Sequence, residues 1–243
     1  VLISEDFPDK EKFLPEGKAH YSLVPHESIL QVLETNDRSY MGAMPFLSGC
    51  MNSALFTEEL TGYLISKYGE RFSLFEQTHV EVVSLDKDKV ELKVLGGKTV
   101  TSENVVLCTN GFEHITIINK SGKDIDTNFH HHLMGKVGFM TGYLEDPKYP
   151  PTALIYMQET PTIEEPYLYM TRRPYEKDEH REHSIVCLGG PEYFLENKKE
   201  YDPLMRYPDN IGKSLDEFIH KTFRVPKKVP YAFHWHGLMG YTT

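Results

Sequence analysis

The fold is decided by the stretch VEVVSL-DKDK-VELKV, residues 80–94, which predicts two β-strands joined by a polar turn. Val80, Val82 and Leu85 are apolar positions of the first segment, and Val90, Leu92 and Val94 alternate strictly with polar residues in the second, which is the period of a half-buried strand. Gly96-Gly97 then predicts a hairpin turn of two residues, and Lys98 to Ser102 is the expected return strand. The sequence therefore predicts a three-stranded antiparallel meander.

A helix is predicted before the meander, from about Ala54 to Tyr68. Asn52 or Ser53 can cap its amino end, and Gly69 stands where a left-handed carboxyl cap belongs. Apolar side chains recur every four residues along one face of this helix: Phe56, Leu60, Leu64 and Tyr68. Phe72, Leu74 and Glu76 alternate after it and predict a short strand.

A continuous apolar run follows the meander. Val105-Val106-Leu107-Cys108 has no polar interruption and predicts a strand that is buried on both faces. The run ends in Thr109-Asn110-Gly111, a turn signal.

The remaining segments predict a second, mostly antiparallel region with few helices. The expected helices are a short one near Ser28 to Glu34 and one that Ser214 caps and that continues through Phe223. The expected strands are Lys136 to Leu144, Pro166 to Thr171 and Ser184 to Leu188. The predicted class is therefore α/β in the α+β sense.

Composition excludes several functions. The chain has 243 residues, 40% of them hydrophobic, and a formal net charge of -10. An acidic surface repels phosphate backbones, which argues against nucleic-acid binding. No stretch approaches the roughly 20 apolar residues that a membrane span needs.

The cysteines and the two ends of the chain give further expectations. Cys50, Cys108 and Cys187 form no CxxC pair, which favours a reducing, cytoplasmic compartment. No signal peptide is visible after Val1. The absence of an initiator Met and the abrupt end at Thr243 predict a fragment of a longer protein. Oligomeric state is not indicated.

Four stretches occur in the order of a known family. They are Phe75 to Val80 with the meander, Val105 to Gly111, the aromatic strand of residues 166–173 with the strand of residues 185–190, and Trp235 to Thr242. This order resembles the interior of the FAD-dependent oxidoreductases of the D-amino-acid oxidase, glycine oxidase and sarcosine oxidase superfamily. The resemblance covers about two-thirds of the chain, and the order of the motifs carries it.

The resemblance implies roles for individual residues. Three groups of residues would bind the cofactor. The backbone of Val80 would contact the adenine edge, and Thr109, Asn110 and Gly111 would line the nucleotide. Trp235, His236 and Gly237 would lie near the flavin ring. Substrate binding falls to Tyr169, Arg172 and Arg173, because a guanidinium matches a carboxylate bidentately. Arg172 and Arg173 are adjacent, so at most one of them faces the pocket.

The resemblance also implies an architecture and a reaction. Residues 46–113 and 234–243 would belong to a partial Rossmann-like FAD-binding domain, and residues 1–45 and 114–233 to a substrate domain on an antiparallel sheet. FAD would be bound non-covalently in the full-length parent. It would accept a hydride from the carbon next to the nitrogen of an amine or amino-acid substrate. No general base is identified.

One departure from the family pattern is important. The Gly-x-Gly-x-x-Gly spacing that holds the pyrophosphate at a helix amino terminus does not occur between Val1 and Thr243. The fragment is therefore expected to bind FAD poorly and to be inactive alone. The alternative function is a cofactor-free binding or structural domain that retains the same fold.

Histidine clusters offer a metal site as a rival interpretation. Adjacent residues His130-His131-His132 point in different directions, so a shared ion is not expected. His234 and His236 share one strand face, but no third ligand is evident. A role near the cofactor, or in packing, is preferred there, and no metal is predicted.

Overall fold

The structure is a computed structural model that describes residues 1–6, 21–47, 49, 51–110, 115–127, 133–157, 167–175, 182–195 and 201–242. Within those ranges it contains three α-helices and twelve β-strands, most of them paired antiparallel. The predicted α+β class is confirmed. His130 to His132 and Gly111 lie outside the described residues.

The elements occur in the following order along the chain: β1 (Leu2–Ser4), β2 (Ser22–Val24), α1 (His26–Val32), β3 (Gly42–Ala43), α2 (Ser53–Tyr68), β4 (Val80–Leu85), β5 (Val90–Val94), β6 (Thr99–Ser102), β7 (Thr116–Asn119), β8 (Leu133–Glu145), β9 (Thr152–Tyr156), β10 (Leu168–Pro174), β11 (Ser184–Leu195), α3 (Asp209–Thr222) and β12 (Tyr231–Thr242).

The chain divides into two compact units. Unit 1 comprises Val1–Cys50, Gly138–Glu192 and Leu204–His236, and unit 2 comprises Met51–Val137, Tyr193–Pro203 and Gly237–Thr243. Strand β7 lies in unit 2, where it pairs with β4 of the small sheet. The domain bounds that the resemblance implies stay a prediction.

The largest sheet has five strands in the order β12-β8-β11-β10-β9. β11 lies at its centre, and its residues from Ser184 to Pro191 are all buried. Within unit 1, β10 pairs antiparallel with β11, with Tyr169 opposite Gly189 and Arg172 opposite Val186. The predicted strands at 136–144 and 184–188 are confirmed, although both extend further, and the one predicted at 166–171 runs instead from Leu168 to Pro174.

Helices α1 and α3 share one hydrophobic core with this sheet. Their contribution is Ile29, Leu30, Leu215, Phe218 and Ile219, none more than 6% exposed. The strands contribute a further apolar set: Tyr143, Tyr156, Leu168, Met170, Val186 and Leu188. The side-chain hydroxyl of Tyr156 donates to the carbonyl of Leu33 at 2.7 Å, which satisfies both groups inside this core.

The small sheet of unit 2 has the order β6-β5-β4-β7. β4, β5 and β6 form the predicted antiparallel meander, and β7 adds a parallel strand beside β4. Gly96 and Gly97 have φ of 89° and 80°, values that favour glycine. The hairpin loop has three residues instead of the predicted two, because the Val94 amide already donates to the Lys98 carbonyl.

Helix α2 also lies in unit 2 and is confirmed over its predicted length. The side chain of Asn52 accepts from the Leu55 amide at 3.2 Å, which settles the cap between the two candidates. No residue of the helix is buried, and Phe56 is 52% exposed. Gly69 has an ordinary helical φ of -52°, so the predicted left-handed cap is wrong.

Two predicted strands are wrong. Residues 72–79 and 105–108 have no strand geometry, and Val106 is 83% exposed instead of buried. An apolar run becomes a strand only where a neighbour pairs with it, and no strand among the described residues pairs with residues 105–108.

The third helix begins earlier than predicted. α3 begins at Asp209, after Pro208, five residues before the expected cap at Ser214. Proline supplies a favourable φ before a helix, and the Asp209 carboxylate complements the amino end of the helix dipole. Phe223 lies after the helix as its carboxyl cap, not inside it.

No helix in the described part of the chain is long and apolar enough to cross a membrane.

Candidate functional site

Asn110 links the two segments that were expected to bind the cofactor. Its Nδ2 donates to the carbonyl of Leu238 at 3.1 Å, and its Oδ1 accepts from the Gly240 amide at 3.2 Å. The two segments lie 128 and 130 residues apart in sequence at these contacts. The return of the chain end to the Thr109-Asn110 turn, which the resemblance predicts, is therefore observed within unit 2.

The geometry of this contact is that of a strand partner. In a pair of parallel strands, a residue of the first strand bonds to the carbonyl of one residue of the second strand. It also bonds to the amide of the residue two positions further along that second strand. The side-chain amide of Asn110 makes this pair of bonds with β12, which is an edge strand of its sheet. Asn110 has a φ of 58°, a left-handed conformation that asparagine tolerates better than most residues. One side chain thus fixes the edge of β12.

Val80 begins strand β4 and is half-buried. It pairs with Val94 of β5, and a register shift follows between Val80 and Val82. The parallel pairing with β7 begins only at Val82, opposite Thr116. Among the described strands, Val80 therefore has a partner on one side only, as a backbone contact to adenine requires. The predicted closeness of Val80 and Thr109 stays a prediction.

Trp235, His236 and Gly237 are consecutive residues of β12 and do not share a face. Side chains alternate along a strand, so Trp235 and the open side of Gly237 lie on one face and His236 on the other. A Cβ added at Gly237 would meet no atom within 4 Å, and Trp235 is 38% exposed. His236 instead donates from Nε2 to the Met205 carbonyl at 3.0 Å, beside the ring of Phe139.

Tyr169 explains the glycine pair on the neighbouring strand. A Cβ added at Gly189 would lie 2.5 Å from the Tyr169 hydroxyl oxygen. Gly190 has a φ of 141°, and a Cβ there would lie 2.5 Å from the Tyr167 carbonyl. The Gly189-Gly190 motif therefore lets an aromatic ring lie directly on the backbone of β11.

The three predicted substrate residues of β10 divide between the two faces of the sheet. Arg172 alternates with Met170 and Leu168 on the core face, whereas Tyr169 and Arg173 lie on the opposite face. Arg172 is 4% exposed. Its role in binding a substrate carboxylate, like those of Tyr169 and Arg173, stays a prediction.

Arg172 already has two carboxylate partners. Its Nε donates to Glu145 at 2.6 Å and its Nη1 donates to Glu34 at 2.8 Å. Burial lowers the pKa of Arg172, but the hydrogen bonds and charges of Glu34 and Glu145 outweigh burial and raise it. Tyr149 covers the guanidinium, with its ring centroid 4.8 Å from Cζ. The arginine is therefore permanently charged and held in place.

A pocket of about 640 Å³ opens over this ion cluster, entirely within unit 1. That volume is in the range of small-molecule sites. Its charged residues are three acids and three arginines: Glu27, Glu34, Glu145, Arg38, Arg172 and Arg224. Tyr143 also lines it and is 6% exposed. Burial, together with the charge of Glu145, raises the pKa of Tyr143, so its hydroxyl stays protonated.

The sequence did not identify Glu34, Glu145 or Tyr143. Glu34 lies 138 residues from Arg172 and Glu145 lies 27 residues away. No local motif joins them. Tyr143 and Glu145 lie on the same face of β8, but the predicted strand ended at Leu144 and so did not include Glu145.

In the described ranges, no group of three or more His, Cys, Asp or Glu residues is placed to bind a metal ion. His234 contacts the hydroxyl of Thr141 through Nδ1 at 3.0 Å, and its ring packs against those of Tyr207 and Tyr231. Cys108 is exposed and Cys187 is buried, and neither forms a disulfide.

Comparison with known proteins gives weak structural similarities only. No family model matches the chain, and no curated protein matches it in sequence. The halogenase PltM has a TM-score of 0.32 at 12% identity over 67% of this chain, and its complex with phloroglucinol and FAD has a TM-score of 0.31 at 12% identity and the same coverage. The tetracycline destructase Tet(51) has a TM-score of 0.25 at 10% identity over 68% of this chain.

The chain spans 32% of the length of the PltM structures and 41% of that of Tet(51). TM-scores at this level do not define a shared fold, so the comparisons assign no family. None of the three is named as an amine or amino-acid oxidase. The finer resemblance to the D-amino-acid oxidase superfamily therefore rests on the sequence motifs.

Proposed function

We propose that this chain is part of an FAD-dependent oxidoreductase and that the junction between Asn110 and β12 belongs to its cofactor site. One observation supports the proposal: Asn110 bonds to both Leu238 and Gly240, so two distant segments whose motifs resemble those of FAD-dependent oxidoreductases lie together. A dinucleotide contacts several segments at once, which must therefore converge.

The residues present suit two parts of FAD. The open side of Gly237 admits a planar ring against the strand backbone, and the nearby Trp235 offers an exposed aromatic surface. Val80 offers a backbone edge to adenine. The pyrophosphate has no glycine-rich cradle in this sequence. The affinity for FAD is therefore expected to be weak, with a Kd on the order of 1 mM.

The finer parts of the proposal concern the reaction and its compartment. The substrate would be an amine or amino acid in a cytoplasmic enzyme. It would be bound with help either from Arg172 on one face of β10 or from Tyr169 and Arg173 on the other. When bound, the flavin would supply the hydride acceptor. The contribution of the chain's own residues would be to hold the ring and to orient the substrate.

Nuclear magnetic resonance with the two halves of FAD tests the proposal. FMN should shift the amide signals of Gly237 and Gly240, and also the indole N–H signal of Trp235, which is the sole tryptophan in the chain. AMP should instead shift Val80 and Thr109. The control ligand is ribose 5-phosphate, which lacks both rings and should shift neither set.

Two results would contradict the proposal. One is that neither half of FAD shifts these signals at concentrations of several millimolar. The other is that both halves shift a common set elsewhere, such as the pocket around Arg172. The cofactor-free alternative predicts the first result.

A further inference from the structure

We propose that His220 is a pH-sensitive latch: as an imidazolium it holds the loop of residues 224–228 to the end of α3, and loss of one proton releases that loop. The latch lies wholly within unit 1 and includes none of the residues assigned to the cofactor or the substrate. The inference therefore goes beyond the proposed flavin chemistry and does not depend on it.

The ring of His220 contacts two backbone carbonyls. Its Nδ1 lies 2.8 Å from the carbonyl oxygen of Asp216, one turn earlier in α3, and its Nε2 lies 3.2 Å from that of Lys227 in the loop. A carbonyl oxygen can only accept, so each ring nitrogen must donate. A neutral imidazole has a single N–H and would turn a lone pair towards one of the two carbonyls. Both hydrogen bonds therefore form only in the imidazolium.

The charges around the ring favour the same form. His220 lies in the last turn of α3, where the negative end of the helix dipole stabilises a cation. The Asp216 carboxylate approaches Nδ1 to 3.5 Å. The hydrogen bond to the Asp216 carbonyl, the charge of Asp216 and the carbonyls of the loop outweigh the effect of burial and raise the pKa of His220 above its usual 6.5.

The neighbouring elements bring no competing charge to the ring. The loop faces it with the carbonyls of Pro226 and Lys227, although the loop also carries the cations Arg224, Lys227 and Lys228. From β12, the Tyr231 hydroxyl donates to the Asp216 carboxylate. Burial and this hydrogen bond raise the pKa of Tyr231, so its hydroxyl stays protonated. Histidine is the side chain that changes charge near neutral pH.

The loop depends on this contact because little else holds its middle. Its ends are anchored, since Phe223 packs on the rings of Tyr156 and Phe218 and Val229 is 5% exposed. Among the described residues, the amides of residues 224–228 make no hydrogen bond to the backbone. Loss of the Lys227 bond should therefore loosen the middle of the loop while its ends stay in place.

The position of the loop gives the latch a consequence. Arg224 and Val225 line the pocket around Arg172, so the loop forms part of one wall of that pocket. A raised folded-state pKa contributes stability below the unfolded value, and that contribution is lost as pH rises through the folded one. The wall is therefore expected to be held at neutral and lower pH and to loosen in mild alkali.

Magnetic resonance titration of the histidine ring nitrogens tests the proposal. Both ring nitrogens of His220 should carry a proton at neutral pH, and the midpoint of its titration should lie above about 6.5. The amide signal of Lys228, which directly follows the Lys227 carbonyl, should shift with the same midpoint. Asp216→Asn should move both midpoints towards about 6.5, because it removes the nearby charge while its side-chain carbonyl can still accept from Tyr231.

A matched pair of variants links the titration to one ring. His220→Ala removes both contacts on an exposed helix position, and the Lys228 signal should then no longer change between about pH 6 and pH 9. His79→Ala is the control, because His79 is exposed and its ring bonds to none of the described residues. The Lys228 signal of this control should titrate as in the parent.

The proposal is overturned if His220 titrates at or below about 6.5, or if one of its ring nitrogens lacks a proton at neutral pH. It is equally overturned if the Lys228 signal does not follow the His220 titration, or if that signal still titrates in His220→Ala. None of these results affects the flavin proposal, whose readout is at Gly237, Gly240 and Trp235.

Discussion

Helices α2 and α3 have similar lengths, 16 and 14 residues, but very different surroundings. α3 buries Leu215, Phe218, Ile219 and Thr222 in the core of unit 1. α2 buries no residue, although it carries apolar side chains at the spacing expected for a core helix. Apolar spacing therefore predicts where a helix forms, and it does not show whether anything covers that helix.

The amino-terminal caps of the two helices show the reverse order: the exposed helix has the side-chain cap and the buried helix has none. α2 has a side-chain cap from Asn52, whereas no side chain caps the amino end of α3. The helix with the least burial is thus the one whose amino end has a side-chain cap. Most helical stability in proteins comes from burial of one face. The comparison predicts that α3, and not α2, contributes to the stability of the chain.

The largest expected effect comes from the same substitution in each helix. Leu215 is 0% exposed and Leu60 is 44% exposed. Leu215→Ala should lower the free energy of unfolding by about 2–5 kcal/mol, because it removes buried methyl groups and leaves a cavity. Leu60→Ala should change it by less than about 0.5 kcal/mol. Urea denaturation followed by circular dichroism measures both.

Equal destabilisation by the two substitutions would break the comparison. It would mean that Leu60 has a partner in solution and that α2 is as well covered as α3.

A smaller effect is expected from the ion pair that ties α3 to the loop after α1. Lys221 contacts Asp37 at 2.8 Å, and the Asp37 side chain is 8% exposed. Burial raises the pKa of Asp37, but hydrogen bonds from Lys221 and Ser39 outweigh it and lower the pKa below its usual 3.8. A lowered folded-state pKa stabilises the protein above the unfolded value and loses that contribution as pH falls through the folded one.

Lys221→Met should therefore reduce stability by about 1 kcal/mol or less at neutral pH. The difference from the parent should begin to shrink below about pH 4, where Asp37 of the unfolded chain becomes protonated, and should be lost as pH falls through the lowered folded-state pKa. Lys67→Met is the control on α2, because Lys67 contacts the hydroxyl of Tyr63 and two tyrosine rings but no acid in the described residues. A constant difference between parent and Lys221→Met from pH 7 to pH 3 would contradict the assignment.

Much of the fold could be predicted from the sequence where local pattern decides it. The meander, α2 and the strands β8 and β11 follow from alternation, capping and apolar runs. The strand predicted at 105–108 was wrong because a strand needs a neighbour to pair with, and the sequence pattern does not show whether that neighbour is present. The start of α3 was predicted too late because Ser214 was taken as the cap, although Pro208 and Asp209 are the stronger start signal.

The candidate sites show the same division. The meeting of Asn110 with the end of the chain was expected from the order of motifs. Side chains alternate between the two faces of a strand, so His236 had to lie on the face opposite Trp235. The sequence interpretation nevertheless assigned Trp235, His236 and Gly237 to one site. The pairing of Arg172 with Glu34 and Glu145 could not be predicted, because it depends on the tertiary placement of three distant segments.

The junction between Asn110 and β12 carries the proposed function, and hydrogen exchange of the Gly240 amide tests it most directly. In Asn110→Gly, which keeps the left-handed backbone accessible but removes the side-chain amide, the Gly240 amide should exchange about tenfold faster than in the parent. The Met239 amide points to the other edge of β12 and should keep its rate. Equal Gly240 rates in the parent and Asn110→Gly would show that the two segments are not joined through Asn110.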